Sequence, residues 1–250
     1  MDLPTGVLWP DRAVLVTGAG IRLGRAIALE FAAAGADVAV HYRGSRAEAE
    51  SCARDIRSLG RKAVLVQGDQ ARDGDPRRIV DEAVQGLGKL DALVLSAGTF
   101  EKVPSESLQR AHFDQMLQTN LVGPFFLAQA AYPHLKASRG AIVTIVDVCG
   151  TSQVWKGYAH YAASKAGLAT ITKLLADEWA PEVRVNGVAP GAVLPPENTT
   201  DEERKRLVAR IPAGRTGAAD DVARAALFLA SQPFVSGQIL AVDGGRTVRA

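Results

Sequence analysis

The sequence has few cysteines, little net charge and no long apolar stretch, and each of these features argues against a class of protein. Of its 250 residues only two are cysteine, Cys52 and Cys149, which stand far apart without the spacing of a metal site. The net charge of +2 is too small to indicate binding to nucleic acid or to an anionic membrane. No stretch approaches the ~20 apolar residues of a bilayer-spanning helix. We expect reduced cysteines, no metal, no nucleic-acid partner and no membrane segment.

The N-terminal segment, residues 1–10, also lacks the basic start and the apolar run of a signal peptide. Together with the low cysteine content, this predicts a cytoplasmic location. Hydrophobic residues make up 47% of the chain and charged residues 22%, which is typical of a globular protein. Because no repeat or linker interrupts the sequence, we expect residues 1–250 to form a single domain.

Short apolar segments alternate along the chain with longer segments in which apolar residues recur every three or four positions. The short segments predict strands at Ala13–Thr17, Asp37–Tyr42, Lys62–Gln67, Ala92–Ser96, Ala141–Val146, Arg184–Ala189 and Gln238–Val242. The longer segments predict helices at Leu23–Ala34, Arg46–Leu59, Pro76–Leu87, Ala111–Ala137, Ala159–Trp179 and Asp220–Ser231. Strands that are almost continuously apolar are typical of parallel sheets with both faces covered. The sequence therefore predicts an α/β fold of Rossmann type, with a doubly wound parallel sheet of about seven strands.

A glycine-rich turn lies between the first predicted strand and the first predicted helix. It reads Thr-Gly-Ala-Gly-Ile-Arg-Leu-Gly over residues 17–24. Glycines at this point let the backbone approach a pyrophosphate, whose charge is stabilised by the N-terminus of the helix. A tight turn that binds nothing is the alternative. The order of strand, turn, helix and second strand favours a dinucleotide site that includes Gly18, Arg22, Leu23 and Gly24.

The end of the second strand carries information about the nucleotide. A site specific for NAD places an acidic residue there, but this chain reads His41-Tyr42-Arg43-Gly44-Ser45. Arg43 can pair with a ribose 2′-phosphate, and Ser45 can add a hydroxyl donor. We therefore predict NADPH as the cofactor, with a solvated surface arginine as the alternative. After the third strand, Asp69 and Gln70 are placed to meet the adenine, although Asp69 can equally cap a turn.

Tyr161 and Lys165 lie four residues apart at the start of the longest predicted helix, which places phenol and ammonium on one face. A nearby ammonium favours the phenolate, so we expect the phenol pKa to fall and the hydroxyl to serve as a general acid. Hydride transfer to a C=O or C=N bond needs such a proton. The spacing alone is common on helices and does not identify a site.

A further set of motifs accompanies this pair in order along nearly the whole chain. The set comprises the turn at residues 17–24, Asp69, Ser96-Ala97-Gly98, Asn120, Tyr161 with Lys165, Pro190-Gly191 and Val242-Asp243-Gly244-Gly245. In this the chain resembles the short-chain dehydrogenase/reductase family. The resemblance implies Tyr161 as proton donor and Lys165 as phenol activator and cofactor ligand. It implies Asn120 as the holder of a relay water, and Ser96, Ala97, Gly98, Pro190 and Gly191 as cofactor contacts.

One departure from the family pattern concerns the end of the fifth strand. The family usually has a catalytic serine there, whereas this chain has Asp147. Asp147 can be interpreted in three ways. It can be a carboxylate with a structural role only, or it can mark a site that has lost its catalytic function. The third is that the chain resembles the pteridine reductase branch, which carries a carboxylate at this point. That resemblance extends to Arg22, to His41-Tyr42, to Gly157-Tyr158 and to residues 193–196.

The same resemblance implies that Phe100 stacks on a pterin ring and that Asp147 and Tyr161 contact the substrate. We therefore expect an NADPH-dependent reductase of a dihydropterin or related pteridine, with Asp147 among its catalytic residues. A general carbonyl or 3-oxoacyl reductase is the alternative. A non-catalytic NADPH-binding protein is the alternative of another class. The resemblance also implies a homotetramer, with the apolar stretch Leu121–Ala131 in one interface.

Overall fold

The computed structural model of the chain describes residues 8–195 and 199–248. A seven-stranded sheet runs through the molecule in the order β3-β2-β1-β4-β5-β6-β7, and every neighbouring pair is parallel. The strands are β1 (Ala13–Val16), β2 (Asp37–Tyr42), β3 (Ala63–Gln67), β4 (Ala92–Leu95), β5 (Ala141–Ile145), β6 (Arg184–Pro190) and β7 (Ile239–Val242). The predicted single-domain α/β fold with about seven parallel strands is confirmed.

Helices cover both faces of this sheet. They are α1 (Arg22–Ala33), α2 (Arg46–Ser58), α3 (Asp75–Leu87), α4 (Arg110–Leu117), α5 (Gly123–Ser138), the short turn α6 (Val148–Thr151), α7 (Ala159–Glu178), α8 (Asp201–Val208) and α9 (Ala219–Ser231). Successive side chains of a strand point to opposite faces, so Val14 and Val16 pack towards α1, α2 and α9 while Leu15 packs towards α3, α5 and α7. This two-sided burial explains why the strands are apolar at consecutive positions.

The long helix expected at Ala111–Ala137 differs from the prediction. It is divided into α4 and α5 by a π-helical segment, Gln118–Val122. A π-helical turn accommodates an extra residue and rotates the side chains within it, and such turns are common at functional sites. Here it directs the fully buried Asn120 towards α7. The hydrophobic spacing could not reveal it because both halves of the helix keep an apolar face.

Two sequence-based expectations fall outside the described residues. These are the absence of a signal peptide, which rests largely on residues 1–7, and Pro196 in the stretch after β6. Over the residues that the structure does describe, no helix combines the length and the apolarity needed to cross a membrane.

Candidate active site

The site begins at the junction between β1 and β4, where the strand order reverses. Thr17 is fully buried there, and its Oγ1 accepts hydrogen bonds from the backbone N–H groups of Ser96 and Ala97, both at 2.9 Å. In open α/β sheets, ligands bind in the crevice outside the carboxyl ends of the strands at such a reversal. Thr17 therefore holds the glycine turn against the segment that follows β4.

The glycine turn itself is too tight for side chains at two positions. Gly18 has a φ of +66°, and a Cβ on Gly24 would lie 2.2 Å from the carbonyl oxygen of Gly18. Arg22 adopts a φ of +48°, a conformation that costs a non-glycine residue on the order of 1 kcal/mol. Its Nη2 donates a hydrogen bond of 2.8 Å to the carbonyl oxygen of Leu194. Arg22 thus connects the turn to the loop after β6.

His41 supports this turn from β2. Its Nδ1 accepts a hydrogen bond from the N–H of Gly18 at 3.2 Å, and its Nε2 donates to the carbonyl oxygen of Gly68 at 3.1 Å. Burial lowers the pKa of His41 to about 4, so the imidazole is neutral and matches this donor and acceptor arrangement. Because both ring nitrogens already bind backbone groups, His41 shapes the cradle through Gly18 and Gly68.

A cavity of about 470 Å³ opens at this edge of the sheet. It is lined by every cofactor residue predicted from the first half of the chain, namely Gly18, Arg22, Leu23, Gly24, His41, Tyr42, Arg43, Ser45, Asp69, Gln70, Ser96, Ala97 and Gly98. The close backbone approach at Gly24 and the N-terminus of α1 fit a pyrophosphate. Pro190 and Gly191 lie elsewhere, at the end of β6, where Gly191 packs against Asp243.

Arg43 and Asp69 lie side by side at the mouth of this cavity. Arg43 Nη1 is 3.5 Å from Asp69 Oδ2, and 62% of the Arg43 side chain is exposed. Asp69 Oδ1 also accepts a hydrogen bond from the N–H of Ala71. The turn-capping role that the sequence left open for Asp69 is therefore present in the structure. An exposed pair of this kind is worth at most about 1 kcal/mol, so Arg43 is available to an anionic ligand.

Tyr161, Asp147 and Lys165 meet at the carboxyl end of β5. The Tyr161 hydroxyl donates a hydrogen bond of 2.8 Å to Asp147 Oδ2, and Asp147 Oδ1 accepts one from the N–H of Cys149. Lys165 Nζ donates to the carbonyl oxygen of Ile145 at 2.8 Å and lies 5.9 Å from the centre of the Tyr161 ring. Asp147 thus occupies the place beside the phenol where the family usually has a serine.

The electrostatics of this group differ from the sequence-based expectation. Burial, followed by the charge of Asp147, raises the pKa of Tyr161, whereas we expected Lys165 to lower it. Burial likewise raises the pKa of Asp147 and lowers the pKa of Lys165 to about 8. The expectation was wrong because the spacing of Tyr161 and Lys165 shows neither how deeply the phenol is buried nor that a carboxylate faces it.

Asn120 joins the segment after β4 to α7. Its Oδ1 accepts a hydrogen bond from the N–H of Thr99 at 2.8 Å, while its Nδ2 contacts the carbonyl oxygen of Thr99 at 2.9 Å, Met116 Sδ at 3.0 Å and Ser164 Oγ at 3.3 Å. Asn120 Oδ1 and Lys165 Nζ both lie close to Gly98. Asn120 therefore fixes the position of the loop between the cofactor cavity and the Tyr161 helix.

Aromatic side chains pack together beside the Tyr161 ring. Phe100 stacks on Tyr158 with ring centres 4.7 Å apart, and it meets Tyr161 edge to face at 4.8 Å. Trp155 lies edge to face with Phe100 at 6.5 Å. Phe100 is 53% exposed, so part of its ring is free to contact a ligand. Sequence reasoning identified Phe100 but missed the role of Tyr158, although the Gly157-Tyr158 pair was a signal for it.

These residues form a consistent arrangement for proton delivery beside a nucleotide cradle. The phenol, the carboxyl and the ammonium are at hand for acid–base chemistry. Among residues 8–195 and 199–248, no group of three histidine, cysteine or acidic side chains is arranged to hold a metal.

Comparisons with known proteins identify relatives over nearly the whole chain. The family model described as Enoyl-(Acyl carrier protein) reductase matches residues 18–247. An uncharacterized oxidoreductase of Methylorubrum extorquens is 36% identical over 94% of this chain and 97% of its own length. The 3-oxoacyl-(acyl-carrier-protein) reductase FabG of Staphylococcus aureus is 35% identical over 94% of this chain and 97% of its own length.

Solved structures give the same result. A gluconate 5-dehydrogenase of Burkholderia cenocepacia in complex with NADP and tartrate is 32% identical and superposes with a TM-score of 0.90, over 98% of each chain. A 7α-hydroxysteroid dehydrogenase complexed with NADH and 7-oxo glycochenodeoxycholic acid is 31% identical, with a TM-score of 0.91 and the same coverage. With the nucleotide cradle and the Tyr161–Lys165 pair in the same fold, the chain belongs to the short-chain dehydrogenase/reductase family of oxidoreductases.

Proposed function

We propose that this oxidoreductase uses NADPH to reduce a dihydropterin or a related pteridine. The observation that carries the proposal is the hydrogen bond of 2.8 Å between Tyr161 and Asp147 beside the exposed part of the Phe100 ring. A pterin is a flat, polar heterocycle, so it needs an aromatic surface, a carboxyl group for its amino-amide edge and a proton donor near a ring nitrogen.

The cofactor half of the proposal rests on Arg43 and Ser45. Both line the cavity at the end of β2, where an acidic residue would select NAD. A guanidinium makes charge-assisted hydrogen bonds to a 2′-phosphate, and the exposed pairing with Asp69 competes weakly with them. The two structural neighbours differ in their cofactor, since one structure contains NADP and the other contains NADH.

In the reaction, NADPH supplies the hydride and this chain supplies the proton. Tyr161 holds that proton on its hydroxyl, and Lys165 lies near enough to stabilise negative charge that develops on the phenol. Lys165 also binds the carbonyl oxygen of Ile145, which fixes the ammonium under the Tyr161 ring. Phe100 and Trp155 pack against Tyr158, which lies beside the Tyr161 ring.

Asp147 acts in this scheme through its protonated form. A carboxylate accepts hydrogen bonds only, whereas the serine that it replaces can donate one. Burial raises the pKa of Asp147 and so favours the protonated carboxyl, which can donate to the phenol oxygen or to a substrate nitrogen. The loop from Asp147 to Tyr161 brings the two side chains together.

Reduction of a 3-oxoacyl or other carbonyl substrate is the second candidate. It is favoured by the 35% identity to a 3-oxoacyl-(acyl-carrier-protein) reductase over nearly the whole of both chains. A ketone gains little from Phe100 or Asp147, which is why we place it second. A non-catalytic NADPH-binding protein, the third alternative, is disfavoured by the complete set of Tyr161, Lys165 and Asn120. The cytoplasmic location stays a prediction.

Replacing Arg43 with Asp should reverse a preference for NADPH over NADH. The loss of a charge-assisted phosphate contact costs about 1.5–3 kcal/mol, or roughly 10- to 100-fold in affinity. Titration of both cofactors against the wild type, Arg43→Asp and Arg43→Lys measures this. Arg54→Asp, an exposed change on α2, is the control. Equal affinity of the wild type for both cofactors would refute the NADPH assignment.

The Tyr161→Phe enzyme should bind NADPH nearly normally and turn over poorly. The substitution keeps the ring and removes the transferable proton, and loss of a general acid lowers the rate by ~10²–10⁴-fold. Lys165→Ala should weaken turnover and cofactor binding together. Single-turnover rates and NADPH fluorescence titrations separate the two effects, with Tyr132→Phe, which stacks on Trp179, as the control. A near-normal rate for Tyr161→Phe would show that another group donates the proton.

Asp147→Ser and Phe100→Ala should each lower kcat/KM for a dihydropterin more than for a ketone. Loss of the aromatic contact alone should change the ratio by roughly 2- to 10-fold. The ratio is measured on one preparation per variant, with Phe234→Ala, a fully exposed site, as the control. An unchanged ratio, or a wild type that reduces ketones and ignores dihydropterins, would replace the pteridine proposal with the carbonyl reductase.

The pH profile tests the protonated form of Asp147. Because the carboxyl donates only while protonated, wild-type kcat/KM should fall as pH rises through the raised pKa of Asp147. Asp147→Asn keeps a neutral donor, so its profile should lose that limb. If kcat/KM of the Asn variant still falls over the same pH range, the decrease is caused by another titrating group.

The chain is expected to assemble as a homotetramer. Exposed apolar side chains on separate elements support this expectation, namely Phe126 on α5, Leu174 on α7, Phe228 on α9 and Leu240 on β7. Such patches on several faces suit a molecule with more than one two-fold interface. Sedimentation at micromolar concentration should give a tetramer for the wild type and a smaller species for Leu174→Glu. A wild type that sediments only as a monomer would contradict the expectation.

A further inference from the structure

A second cavity, of about 730 Å³, lies beside the aromatic residues of the active site. Its walls come from the segment between β5 and α7, from the end of α8 and from the C-terminal turn, and are formed by residues 150–155, Ala209, Arg210 and Arg246. Trp155 belongs both to this cavity and to the aromatic group around Tyr161. The cavity is therefore a neighbour of the reacting centre, separated from it by one aromatic side chain.

Arg246 is held in place within this cavity. Its guanidinium carbon lies 5.2 Å from the centre of the Trp155 ring, and its carbonyl oxygen accepts a hydrogen bond from Gln153 Nε2 at 3.3 Å. The backbone around it is fixed by Asp243, whose carboxylate accepts from the N–H groups of Gly245 at 2.9 Å and Thr247 at 2.7 Å. The Asp-Gly-Gly motif at residues 243–245 thus positions Arg246.

Neither arginine of the cavity, Arg210 or Arg246, forms an ion pair with the residues that the structure describes. Burial, followed by the charge of Arg210, lowers the pKa of Arg246, while Asp147 and Asp243 act in the opposite direction from beyond ion-pair distance. Arg246 is partly buried and Arg210 is exposed, and an anion bound between these two like charges would stabilise both.

We infer that Arg246 and Arg210 form an anion subsite that binds a carboxylate or phosphate group carried by the substrate, remote from the bond that is reduced. The inference rests on the proposed reductase function and specifies the substrate class further. A planar fork of donors stacked on Trp155 suits either anion, because both accept two parallel hydrogen bonds. Trp155 sets the spacing between the anionic group and the ring that contacts Phe100.

The test measures anion binding to the enzyme saturated with NADP⁺, so that the cofactor cavity cannot take up the probe. Succinate and inorganic phosphate are titrated by calorimetry into the wild type, Arg246→Gln, Arg210→Gln, Arg246→Lys and the remote control Arg54→Gln. We expect the affinity for at least one probe to fall roughly 10- to 100-fold in both Gln variants. Arg246→Lys should retain part of it, and Arg54→Gln all of it. The probe that binds with the higher affinity, succinate or phosphate, indicates whether the substrate carries a carboxylate or a phosphate group.

A kinetic experiment connects the subsite to the substrate. The probe that binds should raise KM for the reduced substrate and leave kcat unchanged in the wild type, and it should lose this effect in Arg246→Gln. The inference is overturned if the wild type binds neither probe, if both Gln variants bind like the wild type, or if the bound probe leaves KM unchanged. Failure of the proposed function shows separately, as a lack of NADPH oxidation by the wild type with every substrate tried, because calorimetry requires no turnover.

Discussion

Thr17 joins the carboxyl ends of β1 and β4, and the shape of the cofactor cradle depends on that junction. One buried hydroxyl accepts the N–H groups of Ser96 and Ala97, and each of these bonds contributes about 1 kcal/mol. The glycine turn starts at the next residue, and His41 attaches its Gly18 to the end of β3 through Gly68. The carboxyl ends of the four strands β1 to β4 are thereby fixed to one another, which gives the cofactor cradle its shape.

The second constraint is the burial of ionisable groups at the end of β5. Asp147, Tyr161 and Lys165 are removed from water together, and each is driven towards its neutral form by that burial. The interactions among them oppose this only in part, since Lys165 favours the charged form of Asp147 and Asp147 favours the charged form of Lys165.

Much of the fold could be predicted because its pattern is local. Continuous apolar runs such as Val38–Val40 and glycines such as Gly24 depend on neighbouring residues and on backbone sterics. The gathering of the predicted cofactor residues in one cavity could be expected for the same reason, since they follow strands whose carboxyl ends share one edge. The π-helical segment around Asn120 could not, because the apolar spacing is the same on both sides of it. The raised pKa of Tyr161 could not either, because burial is a property of the folded chain.

The aromatic side chains near Tyr161, together with Arg246 near the C-terminus, show which features of the site cannot be predicted from the sequence. Phe100, Trp155 and Tyr158 come from two segments that meet only after β4 and β5 have paired, and their ring geometry follows from that meeting. Arg246 reaches Trp155 from the far end of the chain, carried there by β7 and by the turn that Asp243 stabilises. In the sequence it is one basic residue after a glycine pair. Its surroundings depend on Trp155, a neighbour more than ninety positions away, whose ring lies between a cavity lined by two arginines and the aromatic side chains near Tyr161. The side chains proposed to contact the substrate therefore come from distant segments, while the predicted cofactor residues lie in short motifs that line one cavity.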